Sequence, residues 1–302
     1  MIHIFYLLFL LTASTIHAAE TTDNMTVVAS IRPVHSLVSG VMKGVSQPKL
    51  LLNDQQSPHH PILKPSQIND LKKAQIVFII DSNFESFLKK PLKSIPTDTK
   101  VVSLMNNKNI KKLPYRTNSK WETSHDHDHD IGFDGHIWLN PLNGVAMVEE
   151  IAYILGEEDP TNKKQYDENA EELKQALYAL DKETKTLLDP VKNIPFLVFH
   201  DGYQYFENRY HLNGQGSIVF EPNDPLKASR LKEIEKQIKT QNVICVFQDM
   251  PGNPRVIKLI ETNFKINTQI LDPLGLEFQP GPDLYFKLMR KMSHSILSCL
   301  SK

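Results

Sequence analysis

Eight short runs of β-branched and aliphatic residues, separated by amphipathic stretches, constrain this chain more than any other feature. "TVVASI" (26–31), "KLLLN" (49–53), "QIVFIID" (75–81) and "KVVSLM" (100–105) form a first series, and "PFLVFH" (195–200), "GSIVF" (216–220), "NVICVFQD" (242–249) and "INTQILD" (266–272) a second. Helical spacing of apolar residues fills 35–43, 66–74 and 84–92, then 203–210, 227–240, 253–263 and 282–299, with Ser66 an N-cap before "QINDLKKA". Strands that alternate with helices at this spacing pair in parallel, because each crossover helix returns the chain to the end of the sheet where the previous strand began. The expected fold class is α/β: two doubly wound lobes with mainly parallel sheets, joined by one long rigid helix.

The joining helix is read from residues 160–189, where "KKQYDENAEELKQALYALDKETKTLL" has no Gly or Pro and keeps helical apolar spacing. About 28 such residues reach about 40 Å at 1.5 Å per residue. At 302 residues the chain is long enough for two cores of ordinary size. The expected division is a leader over 1–18, an N-terminal lobe over 19–157, the linking helix over 158–189 and a C-terminal lobe over 190–302. Residues 106–135, inside the first lobe, are the one long stretch without periodicity.

The first residues, "MIHIFYLLFLLTASTIHAAE", run apolar from Ile4 to Leu11 and then offer Ala18 and Ala19 at a cleavage point. This is the layout of a secretory leader, although its start lacks Lys and Arg. The expectation is a periplasmic mature chain with no membrane insertion. Cys245 and Cys299 are the only cysteines. In an exported chain they read as one disulfide, worth on the order of 4 kcal/mol in the chain-entropy account; two separate buried thiols are the alternative. Basic and acidic residues nearly balance, 34 against 35, which argues against a nucleic-acid partner.

No nucleophile elbow, phosphate loop, HExxH helix or dinucleotide fingerprint is present, so an enzyme reading has no anchor. The polar residues that stand out lie at strand ends or just beyond, where open α/β sheets bind ligands. His59 and His60 follow the second run between Pro58 and Pro61; His136 precedes "IWLNP", where Asn140 can cap the next helix; His200 closes "FLVFH" and Asp272 closes "INTQILD". Singly, each suits a structural hydrogen bond. Together, three imidazoles and a carboxylate drawn two from each half suit a borderline-soft divalent cation in the cleft between lobes. His35, His211 and His294 read as structural, and Trp138, Tyr203, Tyr205 and Phe206 as core or site wall.

The stretches "SPHHPILKPSQINDLKKAQIVFI", "DGHIWLNP", "FLVFHDGYQYFENRY", "VICVFQD" and "ILDPLG" resemble the zinc-binding subunits of bacterial ABC importers, the ZnuA-like cluster A-I solute-binding proteins. The resemblance implies zinc held at the lobe interface by His59, His136 and His200, with Asp272 or water in the fourth place and His60 as the rival to His59. It also implies a monomer that performs no chemistry and hands Zn²⁺ to a permease with its cytoplasmic ATPase. Manganese and iron(II) subunits of the family are similar but place Glu where this chain has His200, so they form the alternative. Zinc members resemble this chain further in the late Cys pair and in a His- and acid-rich loop. That loop here is His125, Asp126, His127, Asp128 and His129, expected to bind metal weakly because a floppy tract must be ordered to bind. A zinc hydrolase is the remaining reading, with Asp249 and Glu207 as its only candidate bases.

Overall fold

A computed structural model of the chain describes residues 25–53, 58–59, 61–116, 132–219, 228–250, 254–264 and 266–301. The leader over 1–18, His60 and the tract from His125 to His129 lie outside the described residues. Strands Val27–Ala29 (β1), Lys49–Leu50 (β2), Ile76–Ile79 (β3) and Lys100–Ser103 (β4) form one sheet in the order β2-β1-β3-β4, parallel throughout. Phe196–Val198 (β5), Gly214–Ser217 (β6), Cys245–Asp249 (β7) and Asn267–Leu271 (β8) form a second, ordered β6-β5-β7-β8 and also parallel. Each sheet therefore reverses its winding beside its first strand, between β1 and β3 and again between β5 and β7. Crevices for ligands open at such reversals.

The helices are Arg32–Val41 (α1), Pro65–Lys73 (α2), Pro141–Glu158 (α3), Lys163–Leu188 (α4), Gln204–Tyr210 (α5), Ala228–Thr240 (α6), Pro254–Phe264 (α7) and Leu284–Leu300 (α8). Local chemistry moves some boundaries. The stretch 84–92 is not an α-helix but yields two 3-10 turns, Ser86–Leu88 and Pro91–Ser94. Pro91 removes a donor and its ring crowds the carbonyl one turn earlier, so no α-helical ladder runs through it. The cap of α2 is Lys64 and not Ser66, because Pro65 suits the first helical position and the Gln67 side chain reaches back to accept from Lys64 N–H at 2.6 Å. The strand expected over 216–220 pairs instead over Gly214–Ser217.

Helix α4 has 26 residues, a length of about 39 Å at 1.5 Å per residue. It is no bare strut. Its buried face, including Tyr166, Ala170, Leu177, Leu180 and Leu188, packs on α3 and α8. Asn169 Nδ2 donates to the Val41 and Lys43 carbonyls at 2.8 and 2.7 Å, satisfying acceptors at the end of α1. One buried cluster runs through both halves, taking in Val27 and Phe78 from the first sheet and Phe196 and Phe247 from the second. Parting the lobes must therefore expose apolar surface as well as open a cleft. Cys245 and Cys299 form a disulfide with Cα atoms 6.1 Å apart, tying β7 to α8 in the core. Among the described residues no helix is long and apolar enough to cross a membrane.

Candidate metal centre

His59 follows β2, His136 precedes the 3-10 turn Ile137–Leu139, and His200 stands two residues beyond β5. Asn140 caps α3 as its position suggests, with Oδ1 accepting from Leu142 N–H at 3.0 Å, which fixes the chain just after His136. The three rings form a nearly equilateral triangle, with centroids 5.5 Å apart for His59 and His136, 5.6 Å for His59 and His200, and 5.7 Å for His136 and His200. Their ligand atoms lie within 4.8 Å of one another, the one such group of three or more among the described residues.

Two of the imidazoles are aimed by buried carboxylates. His136 Nδ1 lies 2.7 Å from Asp134 Oδ1, which also accepts from the His136 backbone N–H at 2.9 Å. His200 Nδ1 lies 2.5 Å from Asp249 Oδ2, and Asp249 Oδ1 accepts from the Tyr203 hydroxyl at 2.5 Å. Facing an acceptor-only carboxylate, Nδ1 is the donor of a neutral imidazole, which leaves the Nε2 lone pair for a ligand. Asp249 closes β7 beside β5, so this pair sits at the winding reversal of the second sheet. Phe84 walls the site, its ring 5.4 Å from His59 and 5.0 Å from His136, and Trp138 stacks behind His136 at 5.2 Å. The Trp138 indole donates across the lobes to the Pro273 carbonyl at 2.8 Å.

Asp272 is buried at the end of β8 but turned to its own loop. Oδ1 accepts from the N–H groups of Leu274 and Gly275 at 3.0 and 2.9 Å, and Oδ2 from those of Leu276 and Glu277. Burial pushes its pKa up, opposed by these four donors. It lies outside the group whose ligand atoms come within 4.8 Å.

The lobes meet beside the site through a short ribbon. Pro114 and Phe133 pair antiparallel, and the two paired stretches form a narrow neck. Helix α5 grips that neck. The Tyr205 hydroxyl accepts from Leu113 N–H at 3.0 Å and donates to the Asp134 carbonyl at 2.9 Å. Arg116 donates to Asp201 and to Glu207, both at 2.8 Å. Burial raises the Asp201 and Glu207 carboxyls to about 6 and about 7 against the pull of the Arg116 guanidinium.

Glu85 is fully buried next to Phe84, and its Oε2 accepts from the N–H groups of Ile80 and Asp81 at 2.6 and 3.2 Å, holding the loop that carries the aromatic wall. Burial lifts its pKa from 4.5 to about 7. Because the folded value is the higher one, the folded state holds this proton more tightly and stability falls as pH rises from about 4.5 to 7. Glu85→Gln, which keeps an acceptor without the charge, should remove on the order of 3 kcal/mol of that slope. Urea unfolding of both proteins at pH 5 and pH 8 measures it; parallel curves would contradict it.

The cleft holding the triad has a volume of about 260 Å³ and is also lined by Tyr115, Arg116 and Asp201. That is below the range of pockets for drug-sized solutes, roughly 300–1,000 Å³, and suits an ion with a few waters. Sequence reasoning passed over Asp134 and Phe84 and took Asp249 only as a weak candidate base. Asp134 had one local signal, its place two residues before His136 in "DGHIW".

The fold and cleft define a two-lobed α/β binding protein with an imidazole triad between the lobes. The family described as "ZnuA: Zinc-uptake complex component A periplasmic" matches residues 27–299, and the chain belongs to it. Among curated relatives, the high-affinity zinc uptake system protein ZnuA of Brucella suis biovar 1 (strain 1330) is 37% identical over 307 residues, covering 91% of this chain and 92% of that protein. The protein of the same name from Yersinia pestis is 30% identical over 289 residues, covering 91% of each chain. A crystal structure of ZnuA superposes with a TM-score of 0.78 at 23% identity, covering 92% of this chain and all of that one. That structure supports the two-lobed fold; the family match rests on the sequence.

Proposed function

We propose that the chain is a periplasmic capture protein that binds one Zn²⁺ through His59, His136 and His200 and hands it to an ABC permease with its cytoplasmic ATPase. The observation that carries this reading is the triad, with ligand atoms within 4.8 Å and two rings aimed by carboxylates. A tetrahedral zinc with bonds of about 2.0–2.1 Å holds its nitrogens about 3.4 Å apart. Three imidazoles favour zinc over manganese or iron(II), which prefer harder oxygen donors. The name of the relatives from Brucella suis and Yersinia pestis, high-affinity zinc uptake system protein, points the same way. For the fourth place, Asp272 and water are the two choices, and the four N–H groups already on its carboxylate oxygens favour water.

The reading is of a binding protein that performs no chemistry. Asp249 is committed to His200 and Tyr203, and Glu207 to Arg116, so neither is poised as a base for hydrolysis. The reading includes lobes over 19–157 and 190–302, a linking helix over 158–189, and export by a leader over 1–18. It also includes weak accessory binding by the tract His125 to His129.

Calorimetric titration tests it. One tight zinc equivalent is expected, retained when 125–129 is deleted and not displaced by excess manganese. Because a ligand imidazole must be neutral, each ordinary one costs about 10-fold in affinity at pH 5.5. Absence of tight binding would refute the proposal, and manganese displacing stoichiometric zinc would favour the manganese reading.

A further inference from the structure

Gly202 lies two residues beyond His200 in the turn entering α5, and its N–H donates to the His200 carbonyl at 3.0 Å. It is not among the glycines with positive φ, which are Gly44, Gly216, Gly275 and Gly281. The backbone at this point therefore gives no reason for glycine. Space does. A Cβ added to Gly202 would fall well inside 3.0 Å of His200 Nε2, 2.7 Å from His200 Cε1 and 3.2 Å from His136 Nε2. One methyl would touch both Nε2 atoms and so fill the wedge where their lone pairs converge.

His200 is poorly placed to yield. Its Nδ1 is held at 2.5 Å by Asp249, Asp249 is held in turn by Tyr203, and the ring packs against Tyr203 with centroids 5.8 Å apart. A flexible neighbour would swing aside from a new methyl; this ring can do so only by leaving its carboxylate.

We propose that Gly202 is a positioning residue of the metal site, its missing side chain leaving the room the ion needs between His136 and His200. The inference rests on reading the triad as a zinc site. Glycine is the entropically costly choice wherever the backbone does not need it. Here that cost keeps a coordination face open, and every other residue would set carbon against the metal.

The test compares the full chain with Gly202→Ala, His200→Ala and the double variant. Zinc affinity is read by chelator competition, the ligand field by the visible spectrum of the cobalt(II) form, and the fold by the thermal midpoint of metal-free protein. Gly202→Ala should lower zinc affinity by about 10- to 100-fold, as when a residue that orients ligands is lost, and should change the cobalt spectrum. It should lower the metal-free midpoint in the wild-type background and leave it unchanged or slightly raised in the His200→Ala background, where the clash with His200 is absent. Wild-type affinity with an unaltered cobalt spectrum in Gly202→Ala would overturn the inference. So would an equal loss of midpoint in both backgrounds, which would make Gly202 a residue of the fold. A wild-type chain without tight zinc binding would instead overturn the reading of the site, a separate result because the midpoints still judge the clash.

Discussion

His136→Ala should lower zinc affinity by about 10²- to 10³-fold. Structural zinc sites of four ligands bind with roughly 10–16 kcal/mol, so one ligand accounts for about 2.5–4 kcal/mol of it. His136 has the strongest claim to that full share. It is buried, its Nδ1 is fixed at 2.7 Å by Asp134, and Phe84 and Trp138 close on its ring at 5.0 and 5.2 Å. Asp134→Asn keeps the ligand but weakens its aim, so its loss should be smaller, about 10- to 100-fold. Competition against a chelator of known affinity measures both. Tight binding undiminished in His136→Ala would remove the residue from the site.

Arg116→Ala should destabilise the protein by about 3–5 kcal/mol at pH 8, the penalty for leaving buried charges without their partner. Asp201 and Glu207 converge on this guanidinium at 2.8 Å with side chains 9% and 5% exposed. The pH dependence distinguishes lost charge pairing from lost packing. With Arg116 in place the Glu207 carboxyl already sits at about 7, and without it the value rises further. Below that value the carboxyl is neutral, so the deficit should shrink at pH 5.5. Thermal unfolding at the two pH values reads the difference; an equal deficit at both would assign the effect to packing. Arg116→Lys should fall between, since a single ammonium cannot bridge two carboxylates as a guanidinium fork does.

Much of this architecture was legible in the chain because parallel strands buried on both faces leave continuous apolar runs. "QIVFIID" and "NVICVFQD" became β3 and β7, and the Gly- and Pro-free string became α4. The stretch 84–92 misled because its apolar spacing is helical while Pro91 forbids a continuous helix. At the site, the three histidines stood out because strand ends expose side chains to the crevice. Asp272 stood out for the same reason, yet its carboxylate turns back onto the N–H groups of its own loop, a choice that spacing does not encode.

The sequence by itself determined the two parallel sheets, the long helix between them and the residue types able to meet an ion. These follow from periodicity, from helix breakers and from donor chemistry, all properties of neighbouring residues. Tertiary structure alone decided which groups aim those donors and what leaves them room. Asp249 lies 49 residues from His200 and Arg116 lies 91 from Glu207, and only packing brings each pair within hydrogen-bond reach. Gly202 looks in sequence like any turn glycine; its role is visible only once two imidazoles from separate lobes converge beside its Cα.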